Sequence, residues 1–394
     1  MPIERKKEPE TVPSYSLTGD LLSFLRCGLQ YRYHNGSSLP PSRPVQLWYG
    51  EFIHGVMEAA YRLWSSTGNP PVFPWPCSMT PFSEDPPLNR PPYDLGVIGD
   101  TVETTLRAQG KSPRSRDARD SAYRRAEAAV NYIGYHLFPL VASAEERVIG
   151  TRLIPFTGTP SPVQLRATRY ELHGIIDVLS DVQLNRVLPG NIIRDSIMSA
   201  CSGLPEHFEV VVDYKGDRRP NTTHEYWQQA NWQVQTYAWL RARQPNSVPV
   251  AAGVLIYVNE LVPVDSDLVE LQKEIRESTT DVIPQTGSQD AYQISMWQRG
   301  RSIELSDLFR IERAIRVIPI TVQTQDEATS QFDQVVLRIE ECINREIATG
   351  TIRGQWEPRG DDSTCVACDF RYFCPDPAPR HAGVPHLITG PLAP

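Results

Sequence analysis

The chain has 394 residues, of which 40% are hydrophobic, and its formal net charge is −8 at pH 7. This length is typical of more than one compact domain, or of one domain with large insertions. No run of about 18 apolar residues occurs, and the first ten residues are charged and lack the apolar stretch of a signal peptide, so the sequence predicts a cytoplasmic protein without a membrane partner. The acidic charge does not indicate a nucleic-acid binder, because such binding depends on local basic patches.

The first part of the chain is predicted to be helical with a long proline-rich interruption. Apolar residues at helical spacing predict helices at 18–34 and 50–65. Nine prolines between residues 70 and 92 exclude helix interiors and central strands there. We interpret this stretch as an insertion or lid, and an arginine- and alanine-rich helix is predicted after it at 118–138.

One basic cluster, "KSPRSRDARDSAYRR" at 111–125, precedes and enters that helix. Its basic residues are Lys111, Arg114, Arg116, Arg119, Arg124 and Arg125. A solvated helix face and a contact with nucleic acid both explain this cluster.

From residue 147 the pattern changes to strands. Strands are predicted at 147–156, 169–182, 208–216 and 250–259, and helices at 224–243 and 331–347. The order strand, strand, helix, strand predicts a mixed sheet with a packed crossover helix, so the fold class is α/β. The last residues are rich in proline and are predicted to form a loosely ordered tail.

Acidic residues occur at the ends of two predicted strands. Asp177 lies in "HGIIDVL", and Asp213 and Lys215 lie two apart in "VVVDYKG", on the same side of a strand. Carboxylates so placed hold hard divalent cations, and a lysine can orient water or stabilise charge on a phosphate. A solvated surface pair is the alternative. Metal-dependent phosphodiester hydrolysis is favoured because only five of the 39 basic residues are lysines.

The helix predicted at 224–243 carries a polar residue on an apolar face. The residues of that face are Tyr226, Ala230, Gln233, Tyr237 and Leu240. A buried amide without partners costs roughly 1–3 kcal/mol, so we expect Gln233 to contact the lysine, a carboxylate or a nucleic-acid backbone. A half-exposed glutamine at the edge of the stripe is the alternative.

Three cysteines lie close together near the end of the chain. In "TCVACDFRYFCPD" at 364–376, Cys365, Cys368 and Cys374 have C-x2-C-x5-C spacing, one ligand short of a four-cysteine metal site. In a reducing compartment, clustered cysteines are more often metal ligands than disulfides. Cys27 and Cys342 are candidates for the fourth ligand. Four cysteines suit a 4Fe–4S cluster or structural zinc.

Four short motifs together resemble the RecB-type branch of the PD-(D/E)XK nuclease superfamily. They are Gly50-x3-His54, Gly174-x2-Asp177, Asp213-x-Lys215 and Gln233-x3-Tyr237. The resemblance implies a restriction-endonuclease-like mixed-sheet core flanked by helices, with an N-terminal helical part and large insertions. Alone, His54 would be interpreted as a structural histidine at the edge of its helix's apolar face.

The resemblance also assigns roles to residues. It implies that His54, Asp177, Asp213 and the main-chain carbonyl of Tyr214 bind magnesium or manganese. It implies catalytic roles for Lys215, Asp213 and Asp177. Gln233 and Tyr237 would support the site or contact DNA.

A subset of these nucleases binds an iron–sulfur cluster through one cysteine before the first motif and three after the last. Residues 16–35, "SLTGDLLSFLRCGLQYRYHN", place Cys27 in a context that resembles the family's C-x3-(Y/F)-x-Y stretch. The resemblance therefore implies a structural [4Fe–4S] cluster, in preference to zinc and to a ligand at Cys342. Its ligands would be Cys27, Cys365, Cys368 and Cys374.

The expected function is that of a divalent-metal-dependent DNA nuclease, an exonuclease or end-processing enzyme that acts on single-stranded DNA or strand ends. The chain resembles CRISPR spacer-acquisition exonucleases and the AddB nuclease domain, which implies a helicase or a CRISPR or other defence complex as a partner. No lysine lies in a Walker A pattern, so a helicase motor would have to belong to that partner. The alternatives are a non-catalytic nucleic-acid-binding or scaffold subunit and an RNA-cleaving defence nuclease.

We expect five segments along the chain. Residues 1–66 contain the N-terminal helices, the first cluster cysteine and the histidine motif, and 67–146 contain the proline-rich insertion and a helical segment. Residues 147–260 form the nuclease core with an insertion at 180–207. Residues 261–376 form a C-terminal helical region with the cysteines, and 377–394 form a flexible tail. The 35 residues between Asp177 and Asp213 are a departure from the family's usual short hairpin.

Overall fold

The computed structural model describes residues 12–36, 45–79, 90–154, 167–358, 364–365, 368–371 and 374–375. The predicted tail at 377–394 and residues 80–89 of the proline-rich stretch lie outside the described residues.

The centre of the molecule is a six-stranded mixed sheet. Its strands are β1 (Ser14–Ser16), β2 (Val141–Leu153), β3 (Arg169–Gln183), β4 (His207–Lys215), β5 (Val250–Tyr257) and β6 (Ile315–Pro319). β3 is antiparallel to β2 and β4 and parallel to β1. β5 is parallel to β4 and antiparallel to β6. The predicted α/β class with a mixed sheet flanked by helices is confirmed and is consistent with a restriction-endonuclease-like fold.

Helices surround this sheet. They are α1 (Ser23–Arg26), α2 (Gly28–Gly36), α3 (Val45–Ser66), α4 (Leu95–Ala108), α5 (Arg116–Ala128), α6 (Tyr135–Leu137), α7 (Ile192–Ala200), α8 (Glu225–Arg241), α9 (Asp265–Glu277), α10 (Gln289–Met296), α11 (Asp307–Ala314) and α12 (Val322–Thr349). Two π-helical segments, Leu17–Leu22 and Ala129–Gly134, precede α1 and α6. None of the helices in the described part of the chain combines the length and the apolar character needed to cross a membrane.

Both faces of the sheet are buried. Strand alternation directs Val210 and Val212 of β4 into a hydrophobic cluster with α3, and Val211 into a second cluster with α8 and α12. Burial on both faces explains why β4 has a continuous run of valines rather than an alternating pattern. The same alternation directs the next two residues, Asp213 and Tyr214, to opposite sides of the sheet.

α8 is the crossover that the parallel pair β4 and β5 requires. His224 caps its N-terminus by accepting a hydrogen bond of 3.2 Å from the Tyr226 amide. From Ala230 onward the helix is buried on several sides, because it packs between the sheet and α12. The prediction of one apolar face is wrong at its start, since Tyr226 is 52% exposed.

The helix predicted at 18–34 is interrupted. Cys27 has an extended backbone, with φ −163° and ψ 108°, and separates α1 from α2. Beyond the break, the amide of Leu29 donates a hydrogen bond of 3.2 Å to the Glu357 carbonyl. The first turn of α2 therefore contacts a segment from the C-terminal part of the chain.

The segment at 180–207 is more regular than the predicted insertion. β3 continues to Gln183, β4 begins at His207, and α7 lies between them. Ile193 and Ile197 of α7 are buried in the cluster on the α3 side of the sheet. Much of this segment therefore belongs to the hydrophobic core.

Candidate active site

Two of the predicted acidic residues are neighbours at one end of the β3–β4 pair. Val178 pairs with Val212, so Asp177 and Asp213 are the next residues across these antiparallel strands. Asp213 is 3% exposed, and Lys215 Nζ lies 2.6 Å from its Oδ2 atom. Burial raises the pKa of Asp213, and the Lys215 charge opposes that increase. The D-x-K side chains thus form an ion pair on the side of the sheet that faces α8.

Gln233 of α8 contacts both members of this ion pair. Its side-chain oxygen accepts a hydrogen bond of 2.9 Å from Lys215 Nζ. Its side-chain nitrogen donates to Asp213 Oδ1 at 3.0 Å and to the Tyr237 hydroxyl at 3.4 Å. The structure therefore places Gln233 among the partners that were expected from the sequence.

Tyr237 packs against the glycine of the second motif. A Cβ atom at Gly174 would lie 2.5 Å from Tyr237 Cε1, which is too close for any side chain. The glycine therefore makes room for the ring that contacts Gln233. In contrast, nothing lies within 4 Å of a Cβ atom placed at Gly50, so packing does not explain the glycine of the first motif.

His54 of α3 reaches this strand end from the other side of the sheet. Its Nε2 atom lies 3.1 Å from the Tyr214 carbonyl oxygen, and its Nδ1 atom lies 3.5 Å from Asp177 Oδ2. Burial lowers the pKa of His54, but the Asp177 and Asp213 carboxylates outweigh burial and raise it to about 9. Both ring nitrogens therefore face oxygen atoms. In the metal-free protein these oxygen atoms stabilise the protonated, positively charged ring.

Glu145 joins this group, although the sequence did not single it out. It lies on β2 opposite Asp177, because Ala144 pairs with Val178 and Glu146 pairs with Ile176. Sequence reasoning missed Glu145 because the strand was predicted to begin at 147, whereas β2 begins at Val141. A longer strand would have aligned Glu145 with Asp177.

The ligand atoms of His54, Glu145 and Asp177 all lie within 4.8 Å of one another. Within the described residues, this is the only set of three or more His, Cys, Asp or Glu ligand atoms that meets this distance. The three side chains line a cavity of about 10 Å³, the size of one water molecule, together with Glu58 and Tyr61. Carboxylate oxygens suit magnesium or manganese, and this set supplies two carboxylates beside the His54 imidazole, so these residues fit a divalent cation. Asp213 is not one of these three residues, and its carboxylate contacts Lys215 and Gln233.

The structure brings Cys27 near two of the C-terminal cysteines. Burial raises the pKa of Cys368 to about 11, and the Cys27 and Cys374 thiolates contribute to that rise. The amide of Cys368 donates a hydrogen bond of 3.2 Å to the Cys365 carbonyl. The thiol of Cys342 has a different environment, since its charged neighbours are Arg345, Arg338 and Glu341.

Aromatic contacts hold the two ends of the chain together around these cysteines. The rings of Tyr33 and Phe370 lie 4.9 Å apart, and those of His34 and Phe370 lie 5.0 Å apart. His34 Nε2 also lies 4.0 Å from Asp369 Oδ2. α2 therefore packs against the C-terminal segment that contains Cys368.

The basic cluster at 111–125 is largely engaged in ion pairs. Lys111 pairs with Glu51, Arg116 with Asp120, Arg119 with Glu103 and Arg125 with Asp267. Arg114 and Arg124 are exposed. This arrangement favours a structural role for most of the cluster over contact with nucleic acid.

One family comparison bears on this site. Residues 205–375 match the PD-(D/E)XK nuclease superfamily. No curated protein matches the chain. The matched residues include Asp213, Lys215 and Gln233, whereas His54 and Asp177 precede them. Over these residues the chain is therefore similar to nucleases of that superfamily.

Proposed function

We propose that this protein is a divalent-metal-dependent deoxyribonuclease that acts on unpaired strands or strand ends. The observation that carries the proposal is the convergence of His54, Asp177, Asp213 and Lys215 at one end of the β3–β4 pair. The superfamily match at 205–375 includes the D-x-K strand of this site.

The residues of the site fit distinct roles. His54, Asp177, Asp213 and the Tyr214 carbonyl are suited to hold magnesium or manganese. The bound cation supplies Lewis-acid stabilisation of the phosphate and lowers the pKa of water. Lys215 is placed to orient the attacking water or to stabilise charge on the phosphate. Gln233 positions Lys215 and Asp213, and Tyr237 supports Gln233.

The depth of the site favours an unpaired strand as the substrate. Asp213 is 3% exposed, and the Lys215 side chain is 22% exposed. A phosphate in a single strand or at a strand end can approach such recessed groups without the second strand of a duplex. We further propose that a helicase or a CRISPR or other defence complex presents the strand, as the resemblance of the four motifs to RecB-type nucleases implies.

We also propose that Cys27, Cys365, Cys368 and Cys374 hold a structural [4Fe–4S] cluster. The nearness of Cys27 and Cys374 to Cys368, whose pKa their charges raise, supports this assignment.

A nuclease assay tests the enzymatic proposal. Purified protein is incubated with end-labelled single-stranded DNA, duplex DNA and RNA, with magnesium, with manganese and with a chelator. We expect metal-dependent cleavage of single-stranded DNA or strand ends, and a loss of about 10²-fold or more in Lys215→Ala, because the charge on the phosphate loses its stabilising donor. Lys273→Ala, an exposed lysine on α9, is the matched control and should cut at the wild-type rate.

Three outcomes would contradict the proposal. Absence of cleavage with either cation would favour a binding or scaffold subunit. Undiminished activity in Lys215→Ala would show that the site is assigned wrongly. Cleavage of RNA without cleavage of DNA would establish the alternative of a ribonuclease.

A further inference from the structure

Three acidic residues form a row across three neighbouring strands. Glu145 of β2 lies opposite Asp177 of β3, and Asp177 lies opposite Asp213 of β4. Two of these carboxylates have cationic partners, since Asp213 pairs with Lys215 and Asp177 lies next to His54. The third carboxylate extends the row on the side of the pocket lined by α3.

More acidic than basic side chains line the pocket beside Glu145. The Asp177 and Glu58 carboxylates line the same pocket as Glu145. The guanidinium group of Arg62 forms an ion pair with Glu58, and the Arg62 side chain is 72% exposed. His54 is the other positive group near Glu145, and its ring lies between the Asp177 carboxylate and the Tyr214 carbonyl.

We propose that Glu145 is a ligand of the divalent cation, which it shares with His54 and Asp177. This inference rests on the proposed function, because it adds a residue to the same metal centre. Three observations carry it: the ligand atoms of these residues lie within 4.8 Å of one another, they line one cavity the size of a water molecule, and His54 presents both ring nitrogens to oxygen acceptors. A divalent cation at this position would offset the negative charge of the carboxylate row.

The local backbone explains how an edge strand delivers this side chain. Glu145 has a φ of 54°, a conformation that is unfavourable for residues other than glycine. The residues before and after it remain paired with β3. This single residue departs from the extended conformation at the level of Asp177. Its neighbour Glu146 lies instead near α8, where its Oε1 atom is 3.8 Å from Arg241 Nη1.

Manganese binding to the metal-free full-length protein tests the assignment without any cleavage. Titration calorimetry and the loss of the free Mn²⁺ paramagnetic resonance signal report the affinity of wild type, Glu145→Gln and Glu146→Gln. We expect Glu145→Gln to bind Mn²⁺ at least about tenfold more weakly, because loss of a supporting group alone has that effect at metal sites. Glu146→Gln should retain the wild-type affinity.

The melting temperature of the metal-free variant provides an independent readout. Glu145→Gln removes a charge that repels Asp177, so we expect it to melt at the same temperature as the wild type or higher. A lower melting temperature would overturn the inference, because Glu145 would then be a structural residue.

The Mn²⁺ affinities distinguish a failure of the proposed metal centre from a failure of the Glu145 assignment. If the wild type does not bind Mn²⁺, the proposed metal centre itself fails. If the wild type binds Mn²⁺ and Glu145→Gln binds it equally well, only the role of Glu145 is overturned.

Discussion

The Lys215 ammonium group donates a hydrogen bond of 2.9 Å to the side-chain oxygen of Gln233. The nitrogen of the same amide donates to Asp213 Oδ1 at 3.0 Å. An amide has a donor end and an acceptor end, so Gln233 can contact a cation and an anion simultaneously. A residue of the crossover helix thus aligns the two charged residues of the strand that precedes it.

We expect Gln233→Ala to lower kcat by about tenfold to hundredfold, because Lys215 and Asp213 lose the contact that aligns them with the substrate. KM should change less, since the substrate phosphate is not a direct partner of the amide. Steady-state cleavage of single-stranded DNA measures both constants. Gln228→Ala, an exposed residue of the same helix, is the control. An unchanged kcat in folded Gln233→Ala would contradict the positioning role.

Gly174→Ala should disturb the site through packing alone. The added methyl group would lie 2.5 Å from Tyr237 Cε1, so the ring has to move away from β3. We expect a loss of about 1–3 kcal/mol in unfolding free energy, which is typical of overpacking in a filled core, together with lower activity. Urea denaturation and the nuclease assay measure the two effects. Gly50→Ala is the comparison, because its added methyl group meets open space and should leave stability nearly unchanged apart from helix propensity. Equal stability of Gly174→Ala and wild type would show that Tyr237 is not held by this contact.

The chemistry of the strand ends could be predicted because it depends on local spacing. Residues two apart on a strand share a side, so Asp213 and Lys215 had to lie together once β4 was identified. The position of Gln233 followed from helical periodicity and from the cost of burying an amide. The roles assigned to these residues stay predictions, as does the division of the chain into five segments.

Other features depend on contacts that no local pattern encodes. Glu145 reaches Asp177 only because β2 begins earlier than its apolar residues indicate and contains one left-handed residue. The break at Cys27 is next to a backbone contact between Leu29 and Glu357, which are distant in the sequence. The short edge strands β1 and β6 each pair with a distant strand and have weak signals of their own.

The ion pairs of Asp281 with two buried arginines should make the unfolding free energy depend on pH. Asp281 accepts hydrogen bonds of 2.7 Å from Arg219 Nε and 2.8 Å from Arg316 Nη2, and both arginines are buried. Burial alone would raise the pKa of Asp281, but the two guanidinium groups outweigh burial and lower it well below its usual value. The stabilisation from Asp281 is therefore complete above its unfolded-state pKa of about 3.9 and is lost as the pH falls through the lowered pKa of the folded state.

We expect Asp281→Asn to lower the unfolding free energy by about 2 kcal/mol or more at pH 7, because it leaves two buried guanidinium groups without their counter-charge. The difference from wild type should stay constant down to about pH 4 and narrow below it. Urea denaturation between pH 7 and pH 3 measures this profile. Glu277→Gln, at the exposed end of α9, is the control and should change stability by less than about 0.5 kcal/mol. A difference that does not depend on pH would contradict the role of the Asp281 charge.

The two ends of the chain provide the sharpest test of the proposed cluster. Cys27→Ser should lose the brown colour and bound iron of the purified protein, because the Cys27 thiol acts on Cys368 together with Cys374. Cys342→Ser should keep its iron, because the charged neighbours of that thiol are Arg345, Arg338 and Glu341. Metal analysis of anaerobically purified proteins measures iron and zinc per chain. Loss of iron from Cys342→Ser and not from Cys27→Ser would assign the fourth ligand to α12, and zinc in place of iron would show that the four cysteines form a structural zinc site.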